Sequence, residues 1–231
     1  MCGEEQEVYA DMTSSRPPEL FRREAILSGW TNDPATARRL FAHESPAVRA
    51  SAFGALVRLG AVTDAEFDAA IRDDAWQVRH RAFSELPRLW GSEPHRSPDA
   101  PGSTVLADAV LAGLSDRDDV VVELACFVAG ECLPSPAGVI ERLCVLATDH
   151  DEALIRESAV AALGSLGDAR GRPSVLAACG DKATVRRRAV LALTAFDGDE
   201  VDEMLTRMAD DVDWQVRQAA EELLAIGEVE L

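Results

Sequence analysis

Six segments of the chain repeat one pattern: a β-branched residue, usually followed by arginine, then small and apolar residues at helical spacing. They begin at Val48, Val78, Val121, Ile155, Val185 and Val216, with separations of 30, 43, 34, 30 and 31 positions. Most of these separations suit a helical hairpin, a unit that cannot bury its apolar side alone and so stacks on its neighbours. At about 100° per residue, the first, fifth, eighth and twelfth positions fall within a narrow sector of an α-helix. In the first segment these are Val48, Ala52, Ala55 and Leu59. The fifth position is alanine in every segment (Ala52, Ala82, Ala125, Ala159, Ala189, Ala220), which lets the backbone of an adjacent helix approach closely.

A shorter apolar run precedes each segment, within 34–43, 63–72, 104–114, 136–148, 174–178 and 201–208. The polar turn between the two runs carries helix-start chemistry: Ser45 before Pro46, or Asp74, Asp151 and Asp181. No stretch alternates like a strand. The pattern predicts an all-α stack of about six hairpins over residues 16–231, opened by an extra helix over Pro18–Ser28. Residues 1–15 carry four acids and are expected to be a disordered acidic N-terminus. The 43-residue separation is filled at 91–103 by a stretch with three prolines and two glycines, which reads as an irregular loop and a candidate hinge or partner contact. Pro87 is expected to kink or end the helix that holds it.

An acid at the turn is followed five residues later by arginine: Glu44 by Arg49, Asp74 by Arg79, Asp151 by Arg156 and Asp181 by Arg186. With this signature the chain resembles HEAT repeats, most closely the short HEAT-like repeats first noted in phycobilin lyases, over roughly residues 32–227. The resemblance implies a right-handed α-solenoid in which these acids and arginines, with Arg217, form a ladder between adjacent repeats. The third repeat departs from it with Val122 in place of arginine, and the sixth with Val212 in place of the acid. Members of the family include scaffolds, inhibitors and a few enzymes, so the resemblance speaks to fold more than to function.

Forty-one acids against 23 bases leave a net charge of -18, a field that repels polyanions and argues against nucleic acid as a partner. No run reaches the ~18 consecutive apolar residues of a membrane span, and residues 1–15 show no signal-peptide pattern. The five cysteines form no CxxC pair. A cytoplasmic monomer is expected. GxSxG, P-loop and GxGxxG motifs are absent, and no cofactor is expected.

His43-Glu44 and His150-Asp151 look like the His-Glu dyads of deoxyhypusine hydroxylase, a HEAT-like enzyme. They occupy one position three repeats apart, about 30 Å at the ~8–10 Å spacing of packed helices, too far to share a metal. Both are expected to cap turns in solvent. Asp197, Asp199, Glu200, Asp202 and Glu203 lack the ligand spacing of a calcium loop and suit a helix N-terminus instead. From Asp197 onward there are 12 acids and 2 arginines, either a solvated cap or a docking surface for a basic partner.

Trp76 and Trp214 both lie in Trp-Gln-Val-Arg. The alkylpurine DNA glycosylases built from HEAT-like repeats use tryptophans with an aspartate, but here His80 and Gln218 stand one turn on. Packing of each indole over that turn is the expectation. Positions three, seven and eleven of each segment point away from the buried sector. There Phe127, Ala161 and Leu191 would make an apolar strip, flanked by Glu123, Glu131 and Glu157 on one side and Arg187 on the other. The alternative is that Phe127 and Leu191 fold down between helices. The strip predicts a non-catalytic module (adaptor, scaffold or inhibitor) that binds a protein or peptide, with a basic one as a candidate, through Trp76, His80, Glu123, Phe127, Glu131, Glu157, Arg187, Leu191, Trp214 and Gln218. The competing reading is an enzyme of the glycosylase or chromophore-lyase type.

Overall fold

The computed structural model describes residues 16–91, 103–133 and 135–229; the expected disordered N-terminus and residues 92–102 of the expected loop lie outside them. Among the described residues there are thirteen α-helices and no strand. In chain order they are α1 (Pro18–Ser28), α2 (Pro34–Phe41), α3 (Pro46–Arg58), α4 (Asp64–Ile71), α5 (Trp76–Gly91) and α6 (Ser103–Gly113), then α7 (Asp119–Glu131), α8 (Val139–Asp149) and α9 (Ala153–Leu166). A single 3-10 turn, Ala169–Gly171, leads into α10 (Arg172–Ala178), followed by α11 (Ala183–Leu193), α12 (Asp199–Met208) and α13 (Trp214–Val229).

The six repeated segments are the helices α3, α5, α7, α9, α11 and α13, and the extra helix α1 has the predicted bounds. All six leading β-branched residues and all six fifth-position alanines are buried. The buried band is wider than predicted, because the sixth and ninth positions join it: Phe53 and Leu56 in α3, Val160 and Leu163 in α9. A helix covered by its own hairpin partner and by neighbouring repeats buries more than one narrow stripe.

Local chemistry sets the helix ends. Asp33 caps α2 by accepting from the Thr36 N–H, with Pro34 in the first turn. At α4, Thr63 and Glu66 form a reciprocal capping box. Gly60, at φ +62°, closes α3 in a left-handed conformation and lets the Ala61 N–H reach the Leu56 carbonyl. The helix ends also depart from expectation. Ser45 stands at the cap position of α3, yet its hydroxyl makes no cap bond. Of the two outcomes expected at Pro87, ending the helix does not occur, since α5 continues to Gly91; the proline still lacks the N–H that would have met the Phe83 carbonyl.

The helices fall into two compact units, divided within α5 between Glu85 and Leu86. In the N-terminal unit, α1 and α2 both pack on α3. Ala25, Leu40, Val48 and Ala52 form one cluster with Phe21 and Phe41 against it, and Ala37, Ala55 and Leu56 form a second. Phe53 lies between Phe41 and Phe67, with ring centroids 5.8 and 6.2 Å away.

In the C-terminal unit, α7, α9, α11 and α13 pack in that order, each also against its own hairpin partner α6, α8, α10 or α12. Glycines let these helices touch backbone to backbone. A Cβ at Gly130 would stand 3.2 Å from the Ala162 Cα, and one at Gly164 would stand 2.7 and 2.9 Å from the Ala192 Cβ and Cα. Backbone cannot rotate aside as a side-chain tip can. Gly164→Ala is therefore expected to destabilise the protein by about 1–3 kcal/mol, the range for overpacking, despite alanine's better helix propensity. Chemical denaturation measures this, and a stabilised variant would show that α9 and α11 can part at no cost.

Candidate interaction surfaces

The inter-repeat turns hold most of the ordered electrostatics. Arg49 donates Nη1 to the His43 and Glu44 carbonyls of its own turn, at 3.0 and 2.8 Å. Its Nε and Nη2 fork onto both carboxylate oxygens of Asp73, in the next turn, at 2.8 and 2.7 Å. Arg156 repeats this with the His150 and Asp151 carbonyls and the Asp181 carboxylate, and Arg186 with the Asp181 carbonyl and the Asp211 carboxylate. Arg79 and Arg217 each clamp two carbonyls of their own turn. Each arginine thus ties a turn to itself, and Arg49, Arg156 and Arg186 tie it to the next as well.

The acids differ from those the sequence pattern picks out. Glu44 and Asp151 offer Arg49 and Arg156 their carbonyls, and Asp74 likewise serves Arg79 through its carbonyl. Two of the three forked carboxylates, Asp73 and Asp211, sit six residues before the arginine of their own turn, one earlier than the expected five. Burial raises the Asp73 carboxyl, but the Arg49 fork and the Ala75 N–H outweigh it and hold it below its ordinary value. The guanidiniums of Arg156 and Arg186 lower Asp181 and Asp211 in the same sense.

That sixth position explains the histidines. Asp73, Asp116 and Asp211 each accept the backbone N–H two residues on, an Asx turn. His43 and His150 do the same with Nδ1, accepting from Ser45 at 3.0 Å and Glu152 at 3.1 Å. They cap turns as predicted, but half-buried rather than in solvent, His43 against the Phe21 ring at 4.7 Å. The repeat before His150 carries Val122 at the arginine position, so no guanidinium there requires an anion. Among the described residues, no group of three or more His, Cys, Asp or Glu is placed to hold a metal. Burial pushes the Cys126 and Cys132 thiols up to about 12 and that of Cys179 up to about 11, far from nucleophilic thiolates.

The predicted binding residues divide between the two units. In the C-terminal unit, Phe127 is 62% exposed and Leu191 41%, so neither folds down between helices. They occupy the same register position on α7 and α11, with half-buried Ala161 at that position on α9 between them. Glu123 and Glu131 lie one turn either side of Phe127 on α7. Leu191, Arg187, Trp214 and Gln218 are brought together in an open groove of about 200 Å³ between α11 and α13, and Leu191 and Arg187 also join Glu157 in an adjoining one. Trp214 is 62% exposed, and Gln218 donates to Glu222 at 2.8 Å.

Trp76 and His80 belong to a different groove, in the N-terminal unit, of about 550 Å³. Their rings meet edge-on at 6.1 Å, one turn apart as expected. The same groove gathers Arg58, at the outward eleventh position of the first segment, with residues that the repeat pattern did not mark as a site: Trp30, which follows α1, and Arg22 and Arg81. Its lining includes no Asp or Glu, so the carboxylate that the glycosylase reading needs beside the indoles is not among these residues. No described helix is long and apolar enough to cross a membrane.

No curated protein sequence matches the chain. Among solved structures, the chain is similar to YibA of Escherichia coli, at TM-score 0.58 and 17% identity over 95% of this chain and 74% of that one. It is also similar to an engineered protein solved by crystallography, at TM-score 0.53 and 16% identity over 82% and 94% of the two chains. A designed armadillo-repeat protein aligns at TM-score 0.47 and 14% identity over 87% and 96%, too low a score to bear on the fold. The sequence pattern of HEAT repeats matches residues 107–193, from within α6 to the end of α11, including the clamped turns between those helices. The chain is thus similar to HEAT repeats over residues 107–193, and its described residues form an all-helical repeat fold.

Proposed function

We propose that the protein is a non-catalytic interaction module that seats a protein partner on the outward face of α7, α9, α11 and α13. The observation that carries this is the exposure of Phe127, Leu191 and Trp214 on helices that pack in sequence. Monomeric proteins rarely leave several large apolar side chains in water along one face without a use for them. Glu123, Glu131 and Glu157 supply a negative rim, and residues 86–231 hold 27 acids against 13 bases. The partner this surface fits is an apolar, basic segment, with aromatic and aliphatic anchors at the centre and charge setting orientation and on-rate.

The test is affinity capture with the full chain and with Phe127→Ser/Leu191→Ser. Loss of captured partners at unchanged helicity, read by circular dichroism, is the expected result. Unchanged capture would place binding elsewhere, and loss of helicity would make both residues part of the core.

A further inference from the structure

The N-terminal unit carries a second surface of opposite electrostatic character. Residues 16–85 contain ten arginines and ten acids, whereas the chain as a whole is at -18. Six of these ten arginines are ion-paired where they stand: Arg16 and Arg39 with Glu24, Arg38 with Glu66, Arg49 with Asp73, Arg72 with Asp68 and Arg81 with Glu85. Arg22 and Arg58 are not; among the described residues neither makes an ion pair, and both are exposed along the groove that holds Trp76.

The groove is shaped as well as charged. The Arg58 guanidinium lies over the Trp30 ring, 4.2 Å from its centroid, a cation–π contact that holds the charge in the groove, where its N–H groups can fork onto an anion. Arg81 lies across Gly54, where an added Cβ would stand 2.4 Å from Nη2. Its Nη2 meets Glu85 at 2.7 Å, while its Nε is buried without a hydrogen-bond partner. Ala47 and Ala50 keep the floor low, and Trp30 and Trp76, 67% and 41% exposed, supply large apolar surface.

We propose that this groove binds an acidic linear segment of a partner protein, its carboxylates pairing with Arg22 and Arg58 and its apolar side chains resting on the indoles. The argument is charge complementarity. Unpaired guanidiniums beside aromatic rings, with no carboxylate in the lining, form a site for a carboxylate-bearing peptide. A long polyanion such as single-stranded DNA would use the same groups but would also meet the repulsion of the rest of the chain. The proposal stands apart from the surface on α7 to α13, and its test uses different residues.

The test selects a displayed library of random 12-residue peptides on the full chain and measures the enriched peptides by fluorescence anisotropy. The expected outcome is enrichment of Asp and Glu together with Leu, Phe or Trp. Affinity should fall at least tenfold in Arg22→Glu/Arg58→Glu, and should be unchanged in Phe127→Ser/Leu191→Ser. Gly54→Ala, which must displace Arg81, is a second variant expected to weaken binding. No enrichment of acidic peptides, indifference to the charge reversal at unchanged helicity, or tighter binding of a 12-nucleotide oligothymidine would each overturn the proposal. Neutralising Glu4, Glu5, Glu7 and Asp11 in the full chain completes the test. If peptide binding appears only then, the occupant is the chain's own acidic segment, and the partner-peptide proposal fails.

Discussion

Phe53→Ala is expected to cost about 3–5 kcal/mol of stability, the range for deleting a fully buried aromatic ring. Phe53 has no exposed surface and lies in α3, which both α1 and α2 pack against. Its ring is also the middle member of the Phe41–Phe53–Phe67 run, so its loss removes two aromatic contacts together with the burial. The surrounding groups are held by three helices and cannot easily collapse into the vacancy. Chemical denaturation gives the magnitude, and hydrogen exchange shows where protection is lost; the loss should be greatest in α2, α3 and α4, since a repeat array transmits destabilisation mainly to its neighbours. A cost below about 1 kcal/mol would mean that the site relaxes freely and that the run of rings is incidental.

The second large effect is expected at Arg156. Arg156→Ala leaves Asp181 without its forked partner, and the His150 and Asp151 carbonyls without a donor. The two side chains are only 12% and 19% exposed, so solvent recovers part of the loss; about 2–3 kcal/mol is expected, below the ~3–5 of a fully buried broken pair. Comparing Arg156→Ala, Asp181→Ala and the double variant separates the pair from its surroundings, with a coupling of about 1–2 kcal/mol expected.

The same clamp makes stability depend on acid. Asp73, Asp181 and Asp211 all titrate below their ordinary value in the folded chain, so the unfolded chain binds protons more readily. Their contribution is fully present above the unfolded carboxylate value of about 4 and is lost as the pH falls from there through the lower folded values. Asp181→Asn should flatten the stability profile below about pH 4 and lower the plateau above it. A profile of unchanged slope would show that Arg156 contributes through the turn carbonyls alone.

The repeat spacing, the buried β-branched positions and the bounds of α1 are all legible from residue order, because helical period and capping are local properties. The pairing of acids and arginines was legible only in part. The chain shows adjacent acids at 73 and 74, and which of them meets Arg49 depends on how the preceding hairpin is seated. Aligning the turns on the sixth residue before the arginine would have found the Asx turns, and with them the role of His43 and His150. The N-terminal groove was the least legible feature. Trp30 lies outside every repeat, and it joins Arg58 and Trp76 only because α1 packs on α3.

Sequence alone determined that this chain must be a series of hairpins with alanine-lined contacts, since no single hairpin here can cover its own apolar side. Tertiary packing alone decided which charges are neutralised and which stay free. An arginine is bound or available according to what lies a helix away, and that neighbour is set by the docking of segments some 25 residues apart, as Arg156 and Asp181 are.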